Sequence, residues 1–270
     1  MDKSISILGC GWLGLPLAIR LIAQGWQVKG STTTEAKLGL LRTYQIDPYL
    51  VQLSTDTLLP AVFFDSDILF INVPPSLKKQ SAGAYLIQMQ FLLEQVKASP
   101  VKRMIFISST SVYPDSNSEI TDTGIVDFQN ALYQSEQLFN QSATFKTTVI
   151  RFAGLIGPGR HPGRFFAGKT GVPNGQAPVN LIHLDDCIGI IEVVLKSPNF
   201  IGTYHAAAPS HPSRKEFYTL ATETAGLPAP QFIDELNDWK IIDPLKLEHD
   251  LDYEFIHPDL PRCITNEACW

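Results

Sequence analysis

Ser4-Ile5-Ser6-Ile7-Leu8-Gly9-Cys10-Gly11-Trp12-Leu13-Gly14-Leu15-Pro16-Leu17-Ala18-Ile19-Arg20-Leu21 is the stretch whose reading decides the fold. Ser4–Leu8 is a short, mostly apolar run and predicts a first strand. The apolar spacing that follows predicts a helix over Leu13–Gln24, closed by Gly25 just past its end. Glycines at 9, 11 and 14 lie between the two. In such a turn Gly9 permits the tight bend, Gly11 lets a pyrophosphate approach the backbone, and Gly14 lets the helix pack on the strand. The helix N-terminus adds N–H groups and a partial positive charge for phosphate. The bland alternative is a structural turn with incidental glycines. A strand directly before the motif and an amphipathic helix directly after it favour the dinucleotide reading. Trp12 and Leu13 belong to the same turn and are expected at the same site.

Working outward, apolar runs alternate with helix-length amphipathic stretches through the first two thirds of the chain. That is the pattern of a parallel sheet covered on both faces. Strands are predicted at Trp26–Gly30, Tyr49–Leu53, Asp67–Asn72, Arg103–Ser108 and Thr147–Phe152. Helices are predicted at Glu35–Thr43, Gly83–Lys97 and Asp127–Gln141. From Gly154 to Pro178 glycine and proline dominate, which predicts loop. An apolar stretch (Val179–His183), a helix (Leu184–Leu195) and a strand (Gly202–Ala206) follow. Ser213-Arg214-Lys215-Glu216 has capping-box spacing and opens another helix. The fold class expected is α/β, a Rossmann-type doubly wound parallel sheet with a small C-terminal annex. Residues 1–155 would form the dinucleotide-binding core with 179–206 returning to it, and 156–178 with 207–270 the substrate-binding annex.

The end of the second strand bears on the choice of dinucleotide. An NAD site usually places a carboxylate there to hold the ribose 2′-hydroxyl. Here Val28-Lys29-Gly30-Ser31-Thr32-Thr33-Thr34 offers no acid before Glu35. Hydroxyls at Ser31, Thr32 and Thr33, with Lys29 or Lys37 nearby, suit a 2′-phosphate better, so NADP is expected, with NAD the alternative. The usual arginine is missing, and the threonines could instead cap the helix near Glu35.

Composition sets bounds. The 270 residues carry 44% hydrophobic and 18% charged residues, those of a globular chain able to bury a full core. A net charge of −6 without any Lys/Arg-rich run argues against nucleic acid as partner. No apolar run approaches the roughly 20 residues that span a bilayer, and the start lacks the pattern of a signal peptide. The cysteines (Cys10, Cys187, Cys263, Cys269) show no metal-ligand spacing, so no metal is expected. Cys263 and Cys269 could close a disulfide, but a reduced cytoplasmic interior is the better expectation. A homodimer is left open.

Four later segments resemble the short-chain dehydrogenase/reductase superfamily in its extended, sugar-nucleotide-epimerase-like branch. Arg103-Met104-Ile105-Phe106-Ile107-Ser108-Ser109-Thr110-Ser111-Val112-Tyr113 is similar to that branch's fifth strand and serine loop. Arg151-Phe152-Ala153-Gly154-Leu155-Ile156-Gly157-Pro158-Gly159 resembles its R…GPG segment. Asn180-Leu181-Ile182-His183-Leu184-Asp185-Asp186 resembles its N-[FLI]-I-H-x-D-D stretch, and Gly202-Thr203-Tyr204-His205 its G-x-Y-N strand. They occur in the family's order and cover the chain to about Phe232. The closest match is an atypical subgroup of epimerase-like proteins.

The resemblance implies that Ser109 holds the catalytic-serine position, as a hydroxyl donor to a substrate carbonyl or alcohol. A strand-end serine bonding its own loop is the alternative. Asn72, Val73 and Pro74 would line the cofactor groove beyond the strand ends. The family's Tyr-x-x-x-Lys pair, in which lysine lowers the tyrosine pKa, is incomplete. Tyr133 is followed four residues on by Gln137, which carries no charge. A second register matches Glu136 to a family glutamate and puts Phe128 and Leu132 at the pair's positions. Tyr133 is thus either a general acid or a half-buried helix residue. His183 and its aspartates are implied to be structural. Arg151, Arg160 and Arg164, with Lys169, would serve a phosphate- or carboxylate-bearing substrate, or be solvated loop charges. Phe165 and Phe166 would anchor a lid or simply meet the core. The expected function is that of an NAD(P)-binding, epimerase/dehydratase-like oxidoreductase acting on a small polar molecule, nucleotide-sugar-like in class. The alternative is a silent NADP(H) sensor that has lost the pair.

Overall fold

The structure, a computed structural model, describes residues 3–54, 58–75, 81–121, 123–197 and 199–270. In chain order the elements are β1 (Ser4–Leu8), α1 (Gly14–Ala23), β2 (Gln27–Thr32), α2 (Leu38–Thr43), β3 (Asp47–Leu50), β4 (Ile68–Ile71), α3 (Ala82–Lys97), β5 (Arg103–Ser109), β6 (Ser118–Ile120), α4 (Ala131–Asn140), β7 (Lys146–Phe152), β8 (Gly154–Ile156), α5 (Gly163–Phe166), β9 (Leu181–His183), α6 (Leu184–Lys196), β10 (Gly202–Ala206), α7 (Arg214–Thr224), β11 (Lys240–Ile242), α8 (Leu245–Leu251) and α9 (Leu260–Thr265). Short 3-10 turns stand at Glu35–Lys37, Ala61–Phe64, Thr110–Val112 and Glu267–Cys269.

Among the described residues, seven strands form one sheet in the order β10-β7-β5-β4-β1-β2-β3. The pairings among β1 to β5 are parallel. The chain runs outward from β1 to β3 and then returns to place β4 on the other side of β1. This reversal leaves a crevice beyond the C-terminal ends of β1 and β4, the place where open α/β sheets take ligands. The glycine turn begins there, since Leu8 pairs with Ile71 at the last rung.

By internal contacts the chain divides into two compact units. The first comprises Met1–Ser108, Asp127–Ile150 and Asn199–Thr203. Its core is apolar on both sheet faces, with Ile5, Ile7, Leu17, Phe63, Phe70, Phe106 and Phe139 fully buried. The second comprises Ser109–Val126, Arg151–Pro198 and Tyr204–Trp270. The serine loop and most of 179–206, which the sequence reading assigns to the dinucleotide-binding core, group by contact with this second unit. Its core joins Ile156, Val179, Leu181, Phe217, Ala221, Leu260 and Ile264. Two parallel ribbons, β8 with β9 and β6 with β11, belong to it.

Two element boundaries matter for the site. β2 runs two residues past its expected end, which brings Ser31 and Thr32 into the strand. α4 starts at Ala131 and not at Asp127, because Asn130 caps it through a 3.0 Å bond from the Leu132 N–H. Phe128 therefore precedes the helix, whereas Tyr133 and Gln137 both lie on it. The capping box at Ser213 and Glu216 opens α7 as the spacing predicts. No helix among the described residues is long and apolar enough to cross a membrane.

Candidate functional site

The three glycines of the turn after β1 stand in different surroundings. Gly9 has φ +105°, and a Cβ there would stand 2.5 Å from the Asn72 carbonyl oxygen. At Gly14 a Cβ would collide with the carbonyl of Gly9. Any side chain at either position breaks the turn or pushes the helix off the strand. Gly11 differs: a Cβ would meet nothing within 4 Å. The protein itself does not require a glycine at 11, so its bareness suits something that must come close from outside.

The turn is held rigidly. The Gly9 N–H donates to the Ser31 hydroxyl at 2.9 Å, and the Cys10 N–H to the Ser31 carbonyl at 2.9 Å. The Asn72 amide donates to the Gly9 carbonyl at 3.3 Å. Leu13 contributes no side-chain cap to α1, and the helix's first turn holds no acidic residue. That leaves a helix N-terminus chemically suited to an anion. Burial pushes the Cys10 thiol up to about 12, so it fills space beneath the turn as an unreactive apolar group. Leu13 is only 2% exposed and packs inward, while Trp12 is half-buried. The Leu13 side chain is thus closed to a ligand.

At the second turn the expected hydroxyls divide. Ser31 is occupied in holding Gly9. Thr32 accepts the Thr34 N–H at 3.1 Å, an internal turn bond. Thr33 is exposed. Lys29 does not point to this turn, because its ammonium donates to the carbonyls of Val62 at 2.6 Å and Asp65 at 2.5 Å. Lys37, exposed in the following 3-10 turn, is the cation left beside Thr33 in sequence. Beyond β4, Asn72 and Val73 are half-buried and Pro74 is exposed. The Val73 carbonyl accepts the hydroxyl of the fully buried Tyr85 at 2.9 Å, which fixes that strand end.

The proton-handling candidates are arranged less favourably. Ser109 caps the turn after β5 by accepting the Ser111 N–H at 3.1 Å, which is the structural alternative set out above. Its hydroxyl hydrogen is not used in that bond. Tyr133 lies half-buried on α4, its ring edge-on to Phe128 with centroids 5.6 Å apart. The neighbouring Glu136 is fully buried and accepts the Ser108 hydroxyl at 2.5 Å. In the sequence only the second register, which singles out Glu136, points towards this pair.

In the second unit Arg151 is 6% exposed, and its guanidinium donates to the Tyr113 hydroxyl at 2.7 Å while lying over the ring. Tyr113 is 3.1 Å from His205 Nδ1, and His205 Nε2 donates to the Asp243 carbonyl at 2.5 Å. With Nε2 carrying the hydrogen, the phenol donates to Nδ1. Arg151 thus belongs to a buried network and not to an open surface. Arg160 and Arg164 are exposed, as a substrate-recognition role requires. Arg164 and burial together hold the His161 imidazole below its usual range, burial being the larger cause. Lys169 lies over the Phe166 ring at 4.9 Å. Phe165 and Phe166 pack on the cluster around Tyr218, which makes them core contacts.

His183 is 1% exposed and caps α6 by accepting the Asp185 N–H at 3.2 Å, while Nε2 donates to the Cys269 carbonyl at 2.8 Å. Burial raises the Asp186 carboxyl, opposed by hydrogen bonds from the Ile256 N–H, the Tyr253 hydroxyl and the His257 N–H. These residues tie the start of α6 to the segment after α8.

No family model matches the chain. It is 38% identical over 267 residues to Protein YeeZ of Escherichia coli K12, across 95% of this chain and 97% of the relative. The same figures hold for Protein YeeZ of Escherichia coli O157:H7. Among solved structures, it resembles the UDP-glucuronic acid 4-epimerase from Bacillus cereus in complex with NAD. The TM-score is 0.78 at 17% identity, over 97% of this chain and 96% of that one. A short-chain dehydrogenase/reductase superfamily protein from Agrobacterium tumefaciens with bound NAD gives a TM-score of 0.77 at 15% identity, over 99% and 96%. A functionally unknown conserved protein from Silicibacter pomeroyi gives 0.75 at 18%, over 97% of each chain. At such identities the likeness to these structures is one of fold. The chain belongs to the family of Protein YeeZ, built on the fold of the epimerase-like branch of the short-chain dehydrogenase/reductase superfamily.

Proposed function

We propose that this protein is an NADP(H)-binding oxidoreductase of the epimerase-like type, acting on a small polar substrate of nucleotide-sugar class. The observation that carries the reading is the glycine turn, where Gly9 and Gly14 are required by the chain and Gly11 only by a visitor. Three structural neighbours named as UDP-sugar epimerases or as short-chain dehydrogenases, two of them holding NAD, support a nicotinamide dinucleotide. NADP over NAD rests on the absence of a carboxylate at 31–34 and on exposed Thr33 with Lys37 following. Gly11, the backbone of Trp12 and Leu13, and the α1 N-terminus would hold the pyrophosphate. Asn72, Val73 and Pro74 would border it. When bound, the nicotinamide supplies hydride transfer. Arg160 and Arg164 would recognise the anionic part of the substrate. The reduced interior of the cytoplasm suits its four free thiols.

A second reading has its own support. Position 137, four residues after Tyr133, holds an uncharged glutamine where the resemblance implies a lysine, and Glu136 is engaged by the Ser108 hydroxyl. A protein that binds NADPH and performs no turnover would fit these facts. Titration of NADPH and NADH by fluorescence, followed by carbonyl substrates and UDP-sugars with nicotinamide absorbance as readout, separates the two. Turnover that falls in Ser109→Ala supports the enzyme, whereas tight binding with none on any substrate supports the sensor.

A further inference from the structure

In the second unit, three potential metal ligands from distant parts of the chain converge. His183 ends β9, His257 lies between α8 and α9, and Cys269 closes the last 3-10 turn. One ligand atom from each lies within 4.8 Å of the others. His183 and Cys269 are each 1% exposed, and the His257 side chain is 14% exposed. A thiol and two imidazoles in a nearly dry setting form a donor set that selects zinc-class ions over calcium or magnesium.

The spacing and the outer contacts fit such an ion. Cys269 Sγ and His257 Nδ1 are 3.6 Å apart. A tetrahedral zinc with ordinary Zn–S and Zn–N bonds holds sulfur and nitrogen about 3.6 Å apart. His257 Nε2 bonds Asp185 Oδ2 at 2.9 Å, which leaves the Nδ1 lone pair directed to the sulfur side. A carboxylate behind a ligating imidazole is the usual outer support of a zinc site. The two imidazoles meet edge to face with centroids 4.2 Å apart. His183 holds two backbone hydrogen bonds, to Cys269 and from Asp185, and ligation would replace one of them.

We propose that His183, His257 and Cys269 bind a zinc-class divalent cation that clamps the 257–270 segment to the start of α6. Binding would displace the Cys269 thiol proton and so weaken as pH falls. The ligands lie 74 and 12 residues apart in sequence, so no local spacing announces them.

The test uses the full chain, stripped with a chelator, kept reduced and titrated with Co²⁺ and then Zn²⁺. One equivalent of Co²⁺ should give a thiolate-to-metal charge-transfer band that Zn²⁺ removes, and Zn²⁺ should raise the thermal midpoint. Cys269→Ser should abolish the band. Asp185→Asn, which keeps all three ligands, should weaken affinity by about 10–100-fold. His249→Ala, on an exposed histidine, should change nothing. Should Cys269→Ser fail to fold, His257→Gln and Asp185→Asn carry the test. Absence of stoichiometric uptake by the reduced wild-type chain would overturn the proposal. So would affinity unchanged in the His257 and Asp185 variants.

Discussion

The backbone N–H of Gly9 donates to the hydroxyl of Ser31 at 2.9 Å, joining the tight turn after β1 to the end of β2. Ser31 is 2% exposed, so no water replaces it readily. Ser31→Ala should cost about 1–3 kcal/mol, the penalty of an unmet buried donor, and should weaken NADPH binding as the turn loosens. Urea unfolding and nucleotide titration check it; an unchanged midpoint would show that the bond does not hold the turn.

Thr33 is the exposed hydroxyl of the second turn, and Lys29 is turned away from it. Thr33→Arg should tighten NADPH by roughly tenfold or more, the worth of a hydrogen bond to a charged group. NADH affinity should stay where it is. Equal tightening of both nucleotides in parallel titrations would place the 2′-phosphate elsewhere.

Glu136 and Ser108 form a buried pair behind the serine loop. Glu136→Ala orphans the Ser108 hydroxyl and leaves a void, and should cost at least about 1–3 kcal/mol in unfolding measurements. Glu136→Gln keeps an acceptor and should recover part of that loss. If Ala proves as stable as the wild type, the pair contributes nothing to the fold.

The His211 imidazole is held below its usual 6.5, mainly by burial, with its hydrogen bond to the Val179 carbonyl opposing the shift. Between the folded pKa and 6.5 the unfolded chain binds more protons than the folded one. This group's stabilising contribution is therefore complete above pH 6.5 and is lost as pH falls through the depressed folded value. The urea midpoint of the wild type should decline below that pH, and His211→Gln should flatten part of the slope. An identical slope in the variant would mean that His211 is equally basic in both states.

What was legible in the sequence was local or periodic. β1 and β10 fall on their expected residues, because a strand bounded by turn glycines is written in neighbours. The roles of Gly9 and Gly14 follow from a six-residue motif. Residue pairs far apart in the chain escaped. Tyr113 bonds Arg151 and His205 across 38 and 92 residues, so the arginine expected to bind substrate also belongs to a buried network that no local spacing announces. Lys29 was expected near the second turn, yet its long side chain reaches two carbonyls past residue 60 that periodicity does not connect to it. The start of α4 shifted by four residues because an asparagine cap outweighed the apolar spacing of Phe128.

The central claim is that the bare face of Gly11 receives a dinucleotide pyrophosphate, and Gly11→Val tests it most directly. The added side chain meets nothing within 4 Å at its Cβ, so the fold should survive with an unchanged circular-dichroism spectrum and thermal midpoint. The wild-type chain should bind NADPH, and the variant should show no saturable binding under the same titration. Wild-type affinity in a folded Gly11→Val variant, or no binding of NADPH or NADH by the wild type, would contradict it.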